Sequence, residues 1–292
     1  MTNGLGFGVS VPSGLLDGRE WRDVTTAAGR PPRWSLFFVD FRPDVPLAHL
    51  RAAADHDALP ILTWEPWHWA QQGTSGHVPV SLSAIAAGRH DGLLHRWADT
   101  LRSWGRPVHL RFAHEFNGRW YPWSAAGGTP AATYVDAWRH VHAVFTDRGA
   151  DAVSWVWSPN AVLDDSSDLA PWYPGDEYVD VLGVDGYNWG TSRAWTTWTE
   201  PEGVFDATFA ALRALAPAKP ILVTEVGCAE AGGCKARWIE SFVRYLQRQP
   251  DVEGFVWFEH DKETDWRIAS SERSARALRD VWPSRETEGV RA

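Results

Sequence analysis

Val108-His109-Leu110-Arg111-Phe112-Ala113-His114-Glu115 is an apolar-rich run of strand length that closes on a histidine and an acid. Seven other runs share its character: Leu5 to Ser10, Trp34 to Asp40, Leu59 to Glu65, Ala152 to Pro159, Val179 to Tyr187, Pro220 to Gly227 and Val252 to His260. They are rich in Val, Ile, Phe or Trp, and most follow a Pro, Gly or Asp cue, which predicts strands. Between them, Leu82 to Trp104, Ala131 to Arg148, Phe205 to Ala216 and Ala236 to Arg248 carry helical spacing. Strands alternating with helices over the whole length predict a parallel sheet, and eight repeats close it into a (β/α)₈ TIM barrel. The barrel is expected over residues 1–283, with a loosely held tail at 284–292. The fifth unit is the weakest, because Asp164 to Tyr173 has room for a short helix at most before Pro174-Gly175.

A chain of 292 residues suits an undivided α/β barrel. Its 28 basic and 37 acidic side chains give a net charge of −9, with the basic residues scattered, so nothing predicts binding to nucleic acid or anionic lipid. No apolar run approaches the length of a membrane-crossing helix. The first sixteen residues are uncharged but broken by Gly4, Gly6, Gly8 and Pro12, so they read as a strand and turn, not a secretion signal. Secretion with the leader lying outside this chain is the expectation; cytoplasmic residence is the alternative. Cys228 and Cys234 lie close together in a Gly-rich loop, where the spacing favours a disulfide slightly over two free thiols.

Active sites of such barrels lie at the C-terminal ends of the strands. Those ends carry Asp40, Glu65, His114 with Glu115, Trp157 with Asn160, Asp185 with Tyr187, Glu225, and Trp257 to Asp261. The 20 tryptophans exceed what a core filled by Leu, Ile, Val and Phe requires, and many sit beside turn residues, as in Trp64-Glu65-Pro66-Trp67-His68-Trp69 and Trp120-Tyr121-Pro122-Trp123. Indole rings at loop tips suit flat, hydroxyl-studded ligands such as sugars, whose C–H faces stack on π-systems.

Glu115 and Glu225 each close a buried-type strand, where desolvation raises a carboxyl pKa unless a partner holds it charged. Glycoside hydrolysis needs such a pair, one acid protonated and one ionised, with about 5–5.5 Å between carboxyls in a retaining enzyme. Around Glu115, His114 and Asn117 can hydrogen-bond hydroxyls, while Trp120 and Trp123 can stack. Glu65 is expected to bind sugar at the mouth, with a rim salt bridge as the alternative. Trp157 is expected to reach substrate and Trp155 to pack in the core. Arg111 is expected one layer deeper, neutralising an inward carboxylate. Glu259 and Asp261 are rival acids on the eighth strand and rank below the first pair.

The segment His114-Glu115-Phe116-Asn117-Gly118-Arg119-Trp120-Tyr121-Pro122-Trp123 resembles the strand-4 signature of glycoside hydrolase family 26. Val181 to Asn188 is similar to that family's strand-6 block, and Thr224-Glu225-Val226-Gly227 to its strand-7 block. The resemblance implies a retaining endo-β-glycanase, most often acting on β-1,4-mannan, with relatives acting on mixed-linkage β-glucan or β-1,3-xylan. It implies Glu115 as acid/base and Glu225 as nucleophile. His114 would contact the sugar at the cleavage point and orient Glu115. Tyr187 would hydrogen-bond the nucleophile, Asp185 would support that network, and Trp257 would form the platform beneath the reacting sugar. Many members are longer, and the Cys228 to Cys234 loop maps to no role in the family pattern.

Other chemistries lack their motifs. His114 to Gly118 departs from HExxH at its fifth position and closes a strand, and no phosphate-binding loop, nucleophile elbow or complete dinucleotide fingerprint is present. The 11 histidines are scattered, so neither metal nor cofactor is expected. The expected partner is a β-linked polysaccharide or oligosaccharide met by a monomer. Two rivals remain: a carbohydrate-binding barrel without catalysis, and an enzyme for phosphorylated small molecules, which the acidic, aromatic loops after strands 7 and 8 disfavour.

Overall fold

The computed structural model describes residues 4–70, 76–162 and 168–282. The eight apolar runs form β1 (Gly6–Ser10), β2 (Trp34–Asp40), β3 (Leu59–Glu65), β4 (Val108–Phe112), β5 (Val153–Trp157), β6 (Val181–Asn188), β7 (Ile221–Cys228) and β8 (Val252–Phe258). Each strand pairs in parallel with its neighbours in sequence, and β1 pairs with β8 to close the barrel. This is the (β/α)₈ architecture. The tail expected at 284–292 lies outside the described residues, as do residues 164–167 of the 164–173 segment, whose described part includes a 3₁₀ turn at Ala170–Trp172. Among the described residues no helix is long and apolar enough to cross a membrane.

The outer layer comprises α1 (Gly18–Ala28), α2 (Leu47–Asp55), α3 (Leu82–Ala86), α4 (Asp91–Trp104), α5 (Ala131–Asp147), α6 (Pro201–Leu215), α7 (Lys235–Gln247) and α8 (Glu272–Asp280). The single helix expected over 82–104 is two, because Gly88 takes φ +74°, a left-handed conformation that ends α3. α6 starts four residues earlier than the periodicity suggests, with Pro201 in its first turn, where the missing N–H costs nothing. A two-stranded ribbon, Trp67–His68 against Val78–Pro79, follows β3.

Alternation along the strands builds two apolar layers. Trp34, Leu36, Ile61, Val156, Val181, Leu222 and Val256 fill the barrel's lower interior, while the opposite strand faces pack against the helices. Trp34 explains two glycines: a Cβ at Gly6 or Gly254 would approach its ring to within 2.4 or 2.5 Å.

The cysteines are two free thiols, contrary to the slight preference for a disulfide. Cys228 is buried at the end of β7, accepting from Asn188 Nδ2 at 3.5 Å, while Cys234 takes the N-cap position of α7. Close sequence spacing placed the thiols on two different elements that each impose their own direction.

Candidate active site

Above the apolar layer the barrel interior turns polar. Arg111 on β4 is fully buried and donates to Thr63 Oγ1 at 2.9 Å, to the two Asp185 carboxylate oxygens at 2.7 and 2.6 Å, and to Glu225 Oε1. It therefore sits in the deeper layer as a counter-ion. Asp185 also accepts from Thr224 Oγ1 at 2.7 Å and Ser158 Oγ at 3.3 Å. Thr224 and Glu225 are adjacent in sequence, yet both reach this interior network, because the β6–β7 register slips between Val184 and Asp185. A bulge re-aims one side chain in this way.

Glu225 receives a second bond, from Tyr187 Oη to Oε2 at 2.6 Å. Burial, then the charge on Glu225, pushes the Tyr187 phenol well up, so it remains a donor. With a guanidinium on one oxygen and a phenol on the other, Glu225 has the surroundings of an anion.

Glu115 has a different environment. β4 ends at Phe112, three residues before the expected limit, because Ala113 and Glu115 take φ +46° and +51°. Such values are uncommon for residues with a Cβ and need support from their surroundings. Here the chain is pinned by Glu115 N to Ser158 O at 2.8 Å, Ala113 N to Trp64 O at 3.1 Å, and Trp123 Nε1 to His114 O at 2.7 Å. The Glu115 side chain is buried and accepts from Trp120 Nε1 at 2.8 Å on Oε2. Oriented with its amide nitrogen toward acceptors, Asn160 donates to Glu115 Oε1 and to the Asp185 carbonyl, each at 3.2 Å. Among the described residues no cation bonds Glu115. Burial first, then the charges of Asp185 and Glu225, raises its pKa well above the ordinary carboxyl range. One guanidinium cannot balance three carboxylates, so the proton resides on the carboxyl that lacks it. Burial likewise lifts Asp185 to about 8, with Arg111 pulling against it.

His114 is buried and its pKa is driven well down by burial and by Arg111, so the ring is neutral. Its Nε2 meets Tyr121 Oη at 3.1 Å, and its Nδ1 is buried with no hydrogen-bond partner among the described residues. His114, Asp185 and Glu225 each bring a possible metal-ligand atom within 4.8 Å of the others. Arg111 already supplies positive charge to both carboxylates there, so the donor set does not fit a further cation. Glu65 on β3 is buried and accepts from Trp67 Nε1 at 3.0 Å and Trp69 Nε1 at 2.7 Å, both on Oε2. Burial pushes it up to about 7, against these two donors.

Glu65, His114, Glu115, Trp120, Asp185, Tyr187 and Glu225 thus share one network or its rim. Four expected substrate contacts stand apart from it. Trp157 is fully buried, with its ring stacked on Phe116 at 4.8 Å; it shares the outward face of β5 with Trp155, so both belong to the helix-side core. Trp257 is buried on the outward face of β8, near Trp238 of α7, and donates to Trp266 O at 2.8 Å; strand parity sends Phe258, not Trp257, to the mouth. Trp123 is buried beneath Tyr121, stacked at 4.2 Å. Asn117 uses its amide on the Asn160 backbone, with two bonds of 2.8 Å that tie the loops after β4 and β5. The rival Glu259 accepts from Ile268 N at 2.7 Å, and the exposed Asp261 pairs with Arg267 at 3.6 Å; both are spent on the loop after β8.

Sequence reading missed an aromatic wall. Phe258 and Trp266 pack with Ala229, and Phe38, Tyr187 and Trp189 border them. Trp266 lies 5.0 Å from Tyr187 and 4.8 Å from Trp189, ring to ring. Phe38 shows the signal that was available, being in phase with Trp34 and Leu36 on β2; Trp266 lies beyond the last strand, where periodicity says nothing.

The fold and this interior network define a (β/α)₈ barrel with a buried cluster of acids at its mouth. A solved β-mannanase from Bacteroides ovatus shares the fold, with a TM-score of 0.67 at 21% identity over 95% of this chain and 88% of that one. Residues 60–240 match the model of glycosyl hydrolase family 26, and the chain belongs to that family. Endoglucanase H of Acetivibrio thermocellus is 35% identical over 254 residues, 85% of this chain and 26% of that protein. Mannan endo-1,4-beta-mannosidase A and B of Caldalkalibacillus mannanilyticus is 28% identical over 181 residues, 58% of this chain and 32% of that protein. The chain thus spans about a third or less of these relatives' lengths.

Proposed function

We propose that the protein is a retaining glycoside hydrolase that cleaves internal β-linkages of a polysaccharide, with Glu115 as acid/base and Glu225 as nucleophile. The observation that carries this reading is the asymmetry of the two carboxyls: Glu115 is buried with no cation bonded to it among the described residues, and Glu225 is held by Arg111 and Tyr187. In the first step a Glu225 oxygen attacks the anomeric carbon, the glycosidic C–O bond breaks, and Glu115 gives its proton to the leaving oxygen. In the second, Glu115 takes a proton from water, whose oxygen displaces Glu225 and releases the sugar with its β configuration kept. Arg111, itself anchored on Asp185, and Tyr187 hold Glu225; Trp120 and Asn160 hold Glu115. His114 Nδ1 and the free oxygen of Glu65 are the groups left to meet sugar hydroxyls, and Trp120, 54% exposed, offers a stacking face. A binding barrel without catalysis would not need a protonated acid beside an anion, which favours the enzyme.

β-1,4-Mannan is the substrate we assign, in line with the relatives named as mannanases. β-Glucan is a second reading, favoured by the 35% match to Endoglucanase H over most of the chain. Reducing-end release from mannan, mixed-linkage β-glucan and β-1,3-xylan tests the class, and NMR of the first-formed anomer tests the stereochemistry. Release of β-anomer that is lost in Glu115→Gln and Glu225→Ala is expected. Cleavage of all three at the parental rate by Glu225→Ala would overturn the role assignment.

A further inference from the structure

Among the described residues the exposed large apolar side chains are Leu16, Val78, Trp120 and Trp195. Each lies between a strand and the helix that follows it: after β1, β3, β4 and β6 respectively. All are therefore on the face that carries the acids, and none is on the opposite end of the barrel. Lone surface apolar residues need no explanation, but their confinement to one face does.

Trp195 is the most exposed, at 81%, and it is mounted on a braced loop. It occupies a turn closed by Thr196 N to Arg193 O at 3.2 Å and by Thr196 Oγ1 to the same carbonyl at 3.1 Å. At the start of the loop, Gly190 and Thr199 donate their backbone N–H groups to Asn188 Oδ1, each at 3.1 Å, which draws its two ends together. Gly190 takes φ +52°, and a Cβ there would lie 1.8 Å from Ala231 O, so the close approach to the loop after β7 requires glycine. Trp238 Nε1 of α7 holds Thr199 O at 2.8 Å. Arg193, at the base of the turn, donates to Glu263 O at 2.9 Å and lies over the Trp189 ring at 5.5 Å. Trp189 borders Tyr187, which bonds Glu225.

We infer that Trp195 is a stacking platform for a sugar ring of the β-glycan chain several units from the cleavage point, on the β6 side of the mouth. A rigid indole held in water at the rim loses little conformational freedom on binding and offers the C–H face of a pyranose a large apolar surface. Its loop is tied to the aromatic wall of Tyr187, Trp189 and Trp266 through Arg193, and the exposed Trp120 beside Glu115 stands on the same face of the barrel. It rewards long substrates over short ones, a property separate from the chemistry at Glu115 and Glu225.

The inference rests on the proposed function, and its test separates the two. Binding of mannohexaose and of a mixed-linkage glucan hexasaccharide is measured calorimetrically in the Glu225→Ala background, with and without Trp195→Ala. Trp195→Ala is expected to weaken the bound hexasaccharide about tenfold, with Trp195→Phe recovering most of that loss. In the active protein, the ratio of kcat/KM for hexasaccharide over trisaccharide falls by a similar factor, whereas a merely structural defect would lower both together. Equal affinities, an unchanged ratio, or no hexasaccharide binding by either form would overturn the platform. Failure of the parent to cleave any β-glycan would instead overturn the functional reading.

Discussion

Replacing Arg111 by Met probes the centre of the network. The guanidinium is fully buried and donates to Thr63, to both oxygens of Asp185 and to Glu225. Methionine fills similar space but leaves two buried carboxylates side by side with no cation. Removing one partner of a buried pair costs about 3–5 kcal/mol, because the remaining charge stays desolvated. For a domain of this size that is roughly 10 °C in melting temperature. Turnover should fall by roughly two orders of magnitude as well, since Glu225 loses the donor that fixes one oxygen. Urea unfolding gives the stability and reducing-end release gives the rate. Adding Asp185→Asn removes one of the two unpaired charges and should restore at least half of the lost stability, a non-additivity expected of partners in contact. If Arg111→Met costs under about 1 kcal/mol, or if Asp185→Asn restores nothing, the cation does not hold these carboxylates together.

Three other predictions follow from the charge pattern. Activity should decline at alkaline pH as Glu115 gives up its proton; Trp120→Phe removes a donor that favours the ionised form, so the alkaline limb should move to higher pH, and a limb that stays put or moves down contradicts the Glu115 assignment. Folding raises Glu65 and Glu259 to about 7, chiefly by burial, from unfolded values near 4. The folded state holds protons that the unfolded chain has released, so stability is full below about pH 4 for these groups and is lost as pH rises through about 7. The melting temperature should therefore fall between pH 5 and 8, less so in Glu259→Gln; a rise over that window would refute it. Finally, Cys234, whose thiol is drawn down by the N–H and side chain of Arg237, should react with a thiol reagent at once, and the buried Cys228 only on unfolding. An effect of reductant on the melting temperature would contradict two free thiols.

The barrel was legible because its strands are short apolar runs with clear ends: Trp34–Asp40 and Leu59–Glu65 coincide with their strands residue for residue. β4 was overrun because Ala113 and Glu115 leave extended geometry through positive φ, which hydrophobic pattern does not encode. Which face of a strand looks inward was harder. On β8 alternation sends Val256 and Phe258 inward and Trp257 out, and nothing within that strand reveals the choice, so Trp257 was mistaken for a platform. Arg111 was read correctly because a buried strand arginine demands an inward carboxylate. Asn117 and Trp123 were misread because loops fold back on themselves: one clamps Asn160, and the other supports His114 from behind. Trp266 and Trp195 lie in loops whose placement depends on tertiary ties that no local pattern shows.

The central claim is that Glu225 becomes covalently bonded to the sugar. An activated 2-deoxy-2-fluoro β-glycoside slows both steps by destabilising the oxocarbenium-like transition states, so the glycosyl-enzyme accumulates. Peptide mass analysis should then find one sugar mass on the segment containing Glu225, and none in Glu225→Ala. A label on another residue, or turnover that yields the α-anomer with no label at all, would contradict the account.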